Sequence, residues 1–242
     1  RYLPDRRDLN RSFPGSSRGS LAAQIAHVFM KEVVHKSTHG IDIHTGAVHR
    51  RNLPQIRACL GDKHTRQIAE AFGVPVILNS EARDGSLREA ARKKNLPMLL
   101  FEGGEALRFD EGVIRVGVKG CLAVMRKIGM LPSLDQLVAR KECFVAKDSF
   151  WVRAAHSGSV RFLGKLGETV RRGDVLAIIQ DLFGKTKIDV VAPASGVIIG
   201  TSCLPLVNRG DAMFHIATFE NLGKLSRQLK SVDLSEGGLF AT

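Results

Sequence analysis

The chain has 242 residues, 44% of them hydrophobic and 25% charged, a composition that excludes a disordered protein and suffices for one full core and a smaller second one. Its net charge of +12 is spread along the sequence, and only one Trp and one Tyr are available for base stacking, so we expect no nucleic-acid partner. No stretch approaches the roughly 20 apolar residues that span a bilayer, so we expect no membrane partner and, by default, a cytoplasmic protein, with homo-oligomerisation left open.

Helical and strand patterns alternate over the first half of the chain. Ser20 is a good N-cap, and apolar residues at helical spacing follow it to about Lys36, which predicts an amphipathic helix. Further helices are predicted near His64–Phe72, near Ser86–Lys94 and from about Asp110 to Ile128. Strands are predicted at Ile41–His44, Val74–Leu78 and Met98–Glu102. This alternation predicts an α/β fold with a mainly parallel, mixed sheet and flanking helices.

The pattern changes at about Phe150 to short apolar strands separated by glycine turns, and helical periodicity is absent from there on. We therefore predict a separate all-β domain over residues 149–220, following a first domain over residues 1–138. The boundary is placed in the charged segment around Ala139–Ser149. The final residues, 221–242, are polar and contain glycine, so we expect a frayed tail.

Side chains suited to chemistry are concentrated in three segments. These are Asp8-Leu9-Asn10-Arg11-Ser12-Phe13-Pro14-Gly15, which Arg1-Tyr2 precedes, then Asp42-Ile43-His44-Thr45-Gly46, and then Phe101-Glu102-Gly103-Gly104-Glu105. Taken singly, each segment also has a structural interpretation. Arg11 is then a solvated charge, His44 a hydrogen-bonded core histidine and Glu102 a carboxylate at a strand end.

In combination, the DLNR-x-FPG segment, the D-x-H-T-G strand end and the FEGGEALRFDE strand exit resemble the succinylglutamate desuccinylase/aspartoacylase family of zinc carboxypeptidase-like hydrolases. The likeness is strongest to its bacterial deacylases and covers nearly the whole chain, the all-β region included. It implies a zinc-dependent hydrolase that cleaves the acyl-amide bond of a small N-acyl amino acid or related compound. Zn²⁺ suits this chemistry because it lowers the pKa of a bound water to about 7 and polarises the carbonyl.

The resemblance implies roles for individual residues. His44, at the carboxyl end of a strand, matches a zinc ligand. Glu102 matches the general base that takes a proton from the attacking water and passes it to the leaving amine. Asn10 and Arg11 match the clamp for the substrate carboxylate, and Arg1 matches the arginine that polarises the scissile carbonyl.

The metal site is incomplete in this sequence. The family supplies two of its three zinc ligands from an H-x-x-E motif ahead of the DLNR segment, where this chain has none, so we expect those two ligands upstream of the first residue. His49 is a weaker candidate to share a metal with His44 across a loop. Asp42 lies on the same side of the strand as His44 and is a candidate to orient it, while Glu105 competes for the general-base role.

Residues Ala154–Gly200 resemble lipoyl/biotinyl-type barrel-sandwich domains, which makes a carrier module the rival hypothesis from another class. A carrier needs a lysine at a hairpin tip in a context such as Met-Lys-Met, whereas Lys185 and Lys187 lie in Gly-Lys-Thr-Lys-Ile-Asp. We therefore interpret this region as a cover that narrows entry to the zinc site, with His156 and His215 as structural residues. The sequence is also compatible with a metallocarboxypeptidase acting on peptides and with an inactive, truncated remnant of a hydrolase.

Overall fold

A computed structural model describes residues 2–133 and 142–230. Its α-helices are α1 Leu21–Glu32, α2 Lys63–Phe72, α3 Leu87–Arg92, α4 Glu111–Lys127 and α5 Leu222–Lys230, with 3-10 turns at Leu9–Arg11 and Val34–Lys36. The first strands are β1 Gly40–His44, β2 Arg50–Ala58, β3 Val76–Asn79, β4 Met98–Gly104, β5 Phe144–Ala146 and β6 Asp148–Arg153. The remaining strands are β7 Gly158–Phe162, β8 Thr169–Val170, β9 Val175–Gln180, β10 Lys187–Val191, β11 Gly196–Ser202, β12 Leu206–Val207 and β13 Ala212–Thr218.

The central sheet is mixed, and helices flank it, as the sequence predicts. Its strands β1 and β4, β2 and β3, and β3 and β5 pair in parallel, whereas β2 and β4 run antiparallel. Helices α2 and α4 pack together over the core that β2, β3 and β4 form, with Phe72 stacked on Phe101 at 5.2 Å between ring centroids. This core fixes the positions at which β1 and β4 end.

The predicted helices and strands of the first half are all present, and local chemistry explains several of their ends. Ser20 caps α1 by accepting a hydrogen bond from the Ala23 N–H, and Ser86 caps α3 in the same way from the Glu89 N–H. Gly73 ends α2 with a left-handed φ of 85°, a conformation that costs glycine little. The helix boundaries thus follow from the residues themselves.

Strand β2 was not predicted from the sequence, although it lies in the middle of the sheet. It begins with two arginines and contains Pro54, which lacks the N–H that a central strand normally donates. The structure accommodates the proline at a register shift between Asn52 and Gln55, where the ladder with β4 is interrupted. Tertiary pairing with strands on both sides therefore outweighs an unfavourable local sequence.

The all-β region continues the central sheet. Gly200–Ser202 of β11 pair antiparallel with Arg50–Asn52 of β2, and β13 and β6 follow in order. A second sheet, in the order β10-β9-β7-β12, shares an apolar core with β11 and β13 that includes Leu176, Ile198 and Phe214. Hydrogen bonds of one sheet thus join the two regions, a connection that the sequence pattern does not reveal, and the division at residues 138 and 149 stays a prediction.

The frayed tail predicted from residue 221 is wrong for its first part. Leu222–Lys230 form α5, and Leu225 and Leu229 are buried against residues that include Leu53 of β2. Leucines at positions 222, 225 and 229 lie on one helical face, so their burial outweighs the polar composition of the segment. Residues 231–242 lie outside the described residues.

A membrane-crossing helix is not found within residues 2–133 and 142–230, because none there is both long and apolar enough.

Candidate active site

Strands β1 and β4 bring two of the predicted site residues side by side. In their parallel register Asp42 pairs with Leu100 and His44 with Glu102. Directly paired residues of neighbouring strands, about 4.8 Å apart, carry their side chains on the same face of the sheet. His44 and Glu102 therefore project together from the carboxyl ends of adjacent strands.

Asp42 contacts the ring of His44, as expected from their spacing. The Oδ2 atom of Asp42 lies 3.0 Å from Nε2 of His44, and the two side chains are 18% and 33% exposed. A carboxylate on one ring nitrogen fixes the orientation and tautomer of a histidine, an arrangement typical of metal-ligating histidines.

Two side chains of β2 contact the Glu102 carboxylate. The Nδ2 atom of Asn52 donates a hydrogen bond of 2.8 Å to Oε2, and Nε of Arg57 lies 3.6 Å from Oε1. Sequence analysis missed both residues because it missed the strand that carries them. The amide and the guanidinium compensate part of the cost of placing a largely covered carboxylate at the end of an apolar strand.

Glu105, the competing carboxylate, has other partners. It accepts a hydrogen bond of 3.2 Å from the backbone N–H of His49. Burial and the nearby Glu105 carboxylate raise the pKa of the Cys203 thiol above its usual value. These contacts hold the turn after β4 against neighbouring loops, which favours Glu102 as the reactive carboxylate.

Arg88 is a further charged residue near the site that sequence analysis did not single out. It is 8% exposed on α3 and donates hydrogen bonds to Ser80 Oγ at 3.1 Å and to the Glu81 carbonyl at 2.8 Å. Burial lowers the pKa of its guanidinium, while nearby acidic groups, Glu102 and Asp42 among them, act in the opposite direction. The sequence gives no signal that distinguishes a buried arginine in a helix from a solvent-exposed one, so the position of Arg88 could not be predicted.

The DLNR segment lies against the loop that leads into α3. Oδ1 of Asn10 accepts a hydrogen bond of 2.8 Å from the Leu87 N–H, and a Cβ on Gly85 would approach the Arg11 carbonyl oxygen to 2.6 Å. Arg11 is exposed, and its Nη1 donates to the Asn10 carbonyl. The segment thus positions an exposed guanidinium, and the roles of Asn10 and Arg11 as a substrate clamp stay predictions. Arg1 lies outside the described residues.

The described residues do not complete a zinc site. A catalytic zinc normally has three protein ligands, and no group of three or more His, Cys, Asp or Glu side chains in this part of the chain is placed to hold a metal. The sharing of a metal by His49 and His44 across a loop stays a prediction. Any zinc ion bound at His44 would need donors from outside residues 2–133 and 142–230.

Comparison with known proteins identifies relatives of this chain. The model of the succinylglutamate desuccinylase/aspartoacylase catalytic domain matches residues 1–128. The N-alpha-acetyl-L-2,4-diaminobutyric acid deacetylase of Halomonas elongata is 26% identical over 231 residues, which cover 89% of this chain and 67% of the deacetylase.

Solved structures show the same fold. The product-bound ectoine utilization protein EutE (DoeB) of Ruegeria pomeroyi matches with a TM-score of 0.79 and 25% identity, covering 90% of this chain and 70% of that one. The succinylglutamate desuccinylase/aspartoacylase of Rhodobacter sphaeroides matches with a TM-score of 0.79 and 22% identity, covering 90% and 70%. Since the family model spans more than half of the sequence, this chain belongs to the succinylglutamate desuccinylase/aspartoacylase family.

Proposed function

We propose that this chain is a zinc-dependent deacylase that hydrolyses the acyl-amide bond of a small N-acyl amino acid or related compound. The observation that carries the proposal is the placement of His44, oriented by Asp42, beside Glu102 at the ends of adjacent strands. Family membership and the likeness to a deacetylase of an N-acetyl amino acid support it. Zinc is proposed because of the family resemblance and because Asp42 orients His44, which would contribute one ligand to the metal.

Glu102 is the proposed general base. It takes a proton from the water that attacks the carbonyl carbon, and it delivers that proton to the nitrogen as the C–N bond breaks, so that a carboxylic acid and an amine are released, which become a carboxylate and an ammonium group when the proton of the acid passes to the amine. Such a role requires a positioned carboxylate with access to substrate. The Asn52 contact supplies the first requirement, and an 18% exposed side chain is consistent with the second.

Arginines supply the proposed substrate contacts. Arg11 is proposed to hold the carboxylate of the amino acid, with Asn10 beside it, because a guanidinium forms two parallel hydrogen bonds to a carboxylate. Arg1 is proposed to polarise the scissile carbonyl. The exposed position of Arg11 suits contact with a ligand, and its neighbour Asn10 is already anchored to Leu87.

The all-β region is proposed as a cover for the site, with a barrel-sandwich-like architecture. Lys185 lies in the turn between β9 and β10, but its Gly-Lys-Thr context differs from that of a carrier lysine. We therefore retain the cover and not the carrier as the proposal. A cytoplasmic location and assembly into a homo-oligomer likewise remain proposals.

The test is a substrate panel measured with the protein expressed from its complete reading frame. N-acetyl-2,4-diaminobutyrate, N-succinylglutamate and N-acyl aspartates would be compared with dipeptides, before and after removal of metal by a chelator and readdition of zinc. We expect hydrolysis of at least one N-acyl amino acid, its loss on chelation and its return with zinc. Cleavage of dipeptides alone would indicate a metallocarboxypeptidase, and no turnover by a folded, zinc-loaded protein would indicate an inactive relative.

A further inference from the structure

Asn52 is a buried amide at the point where three strands meet. It is 8% exposed and pairs with Gly104 of β4 on one side and Gly200 of β11 on the other. Its Nδ2 atom donates the 2.8 Å hydrogen bond to Oε2 of Glu102. A buried amide with one end on a carboxylate has little freedom to turn, because rotation would bring its carbonyl oxygen against another oxygen.

The opposite end of this amide faces a glycine of the all-β region. A Cβ at Gly200 would lie 2.8 Å from Oδ1 of Asn52, closer than real Cβ contacts. The same Cβ would lie 3.2 Å from the His215 Cβ and 3.7 Å from the Trp151 ring. Position 200 therefore leaves room for the Asn52 amide only while it carries no side chain.

Two aromatic rings and a guanidinium surround Gly200. The Trp151 and His215 rings stack with centroids 4.7 Å apart and an angle of 9° between their planes, and the Arg50 guanidinium lies 5.0 Å from the centroid of the Trp151 ring. Arg50 belongs to β2, two residues before Asn52, while the two rings belong to β6 and β13. Strands of both regions thus contribute the residues around Gly200, which faces the Asn52 amide.

Three β2 residues are neighbours of Glu102, and Asn52 is the one whose side chain can set the orientation of the carboxylate. Gln55, the register partner of Glu102, makes no side-chain hydrogen bond within the described residues. Nε of Arg57 is buried and makes no hydrogen bond within the described residues, and it lies 3.6 Å from Oε1, so it contributes charge and not direction. The Asn52 contact has both the distance and the donor of a directional bond. It engages Oε2, which leaves Oε1 for proton transfer.

We propose that Asn52 is the positioning residue of Glu102, and that the all-β region holds Asn52 in place through Gly200. The inference rests on the proposed function, in which Glu102 is the general base. It gives the all-β region a second task besides covering the site, because Gly200 and its neighbours determine where the Asn52 amide lies. A general base displaced by even about 1 Å loses on the order of 100-fold in rate, so this support bears directly on turnover.

The experiment is a double-mutant cycle in the protein from the complete reading frame, with kcat and KM measured on the best N-acyl amino acid. Asn52→Leu keeps the approximate shape of the side chain and removes the donor. We expect it to lower kcat by about 10- to 100-fold, with KM changed by less than about 3-fold. In a Glu102→Gln background the same change should cost less than about 3-fold, because the base on which Asn52 acts is already gone.

Two further variants separate positioning from general destabilisation. Leu53→Val alters the next residue of β2, whose side chain packs in an apolar cluster with Val76, Leu78 and Leu225, and should lower the unfolding temperature while leaving kcat within about 2-fold. Gly200→Ala should lower kcat in the same direction as Asn52→Leu, by about 3- to 30-fold. If Asn52→Leu does not fold, Asn52→Ser takes its place, since a serine is too short to make the same bond.

Each result decides a separate question. The positioning role would be overturned if Asn52→Leu lowered kcat equally in the parent and in the Glu102→Gln background. It would also be overturned if the kcat of Asn52→Leu were no lower than that of Leu53→Val. A normal kcat in Gly200→Ala would overturn the part assigned to the all-β region. Near-normal activity of Glu102→Gln alone would instead remove the general-base assignment, and with it the basis of the inference.

Discussion

One sheet serves two purposes in this molecule. At its β1, β4 and β2 end, one face carries Asp42, His44, Glu102, Asn52 and Arg57, whose contacts with one another are polar. Further along the same sheet, β11 and β13 carry almost wholly apolar buried side chains, with His215 as the buried titratable residue there among the described residues. The polar side chains of the proposed site are thus confined to one face of the sheet at its β1, β4 and β2 end, and they adjoin the apolar region where Asn52 faces Gly200.

This arrangement predicts that a cavity in the apolar end lowers stability without lowering turnover. Phe214 is fully buried and meets Phe162 edge-on at 5.4 Å between ring centroids. Phe214→Ala should reduce the free energy of unfolding by about 3–5 kcal/mol, from lost transfer energy and the remaining cavity. Urea unfolding would measure this loss, while kcat at a temperature where the variant is folded should stay near that of the parent. A large fall in kcat of the folded variant would show that the two ends are not separable in this way.

At the chemical end, Arg11→Lys tests the substrate class. The change keeps the positive charge but removes the bidentate hydrogen bonding of the guanidinium to the substrate carboxylate. The kcat/KM for an N-acyl amino acid should therefore fall by about 10- to 100-fold. The same substrate with its carboxylate amidated should already be poor and should lose little more. Steady-state kinetics on the matched pair measures the difference. Equal losses on both substrates would assign Arg11 to the fold of the DLNR segment and not to the substrate.

At the stability end, His215 predicts a pH dependence of unfolding. Burial, and secondarily the charge of Arg57, lowers the pKa of His215 from 6.5 to about 3. Below pH 6.5 the unfolded chain binds a proton that the folded chain does not, so stability falls as the pH drops from about 6.5 towards 3. The slope from this residue is at most about 1.4 kcal/mol per pH unit.

His215→Phe is the matched variant for this effect, because it keeps an aromatic ring against Trp151 and removes the titrating group. Unfolding followed by the fluorescence of Trp151, the one tryptophan of the chain, should show a weaker pH dependence between pH 6 and 4 in the variant. Identical pH profiles in parent and variant would contradict the assignment of a neutral, buried His215.

The sequence alone predicts one part of the candidate site better than the other. His44 and Glu102 end apolar segments within recognisable motifs, so their positions at strand ends followed from the pattern. The positions of Asn52 and Arg57 could not be predicted in this way. Pro54 and the two arginines at the start of β2 are untypical of a central strand, and its pairing is set by neighbours distant in sequence. For the same reason, the hydrogen bonds from β2 to β11 that join the two regions have no local signature.

Glu102 is proposed to transfer a proton and not to bind the metal. The decisive measurement is the kcat and the zinc content of Glu102→Gln, prepared from the complete reading frame beside the parent. We expect kcat to fall by about 10²- to 10⁴-fold, with zinc retained in the same ratio to protein. Turnover near that of the parent, or loss of zinc together with activity, would contradict it and move the proton-transfer role away from the end of β4.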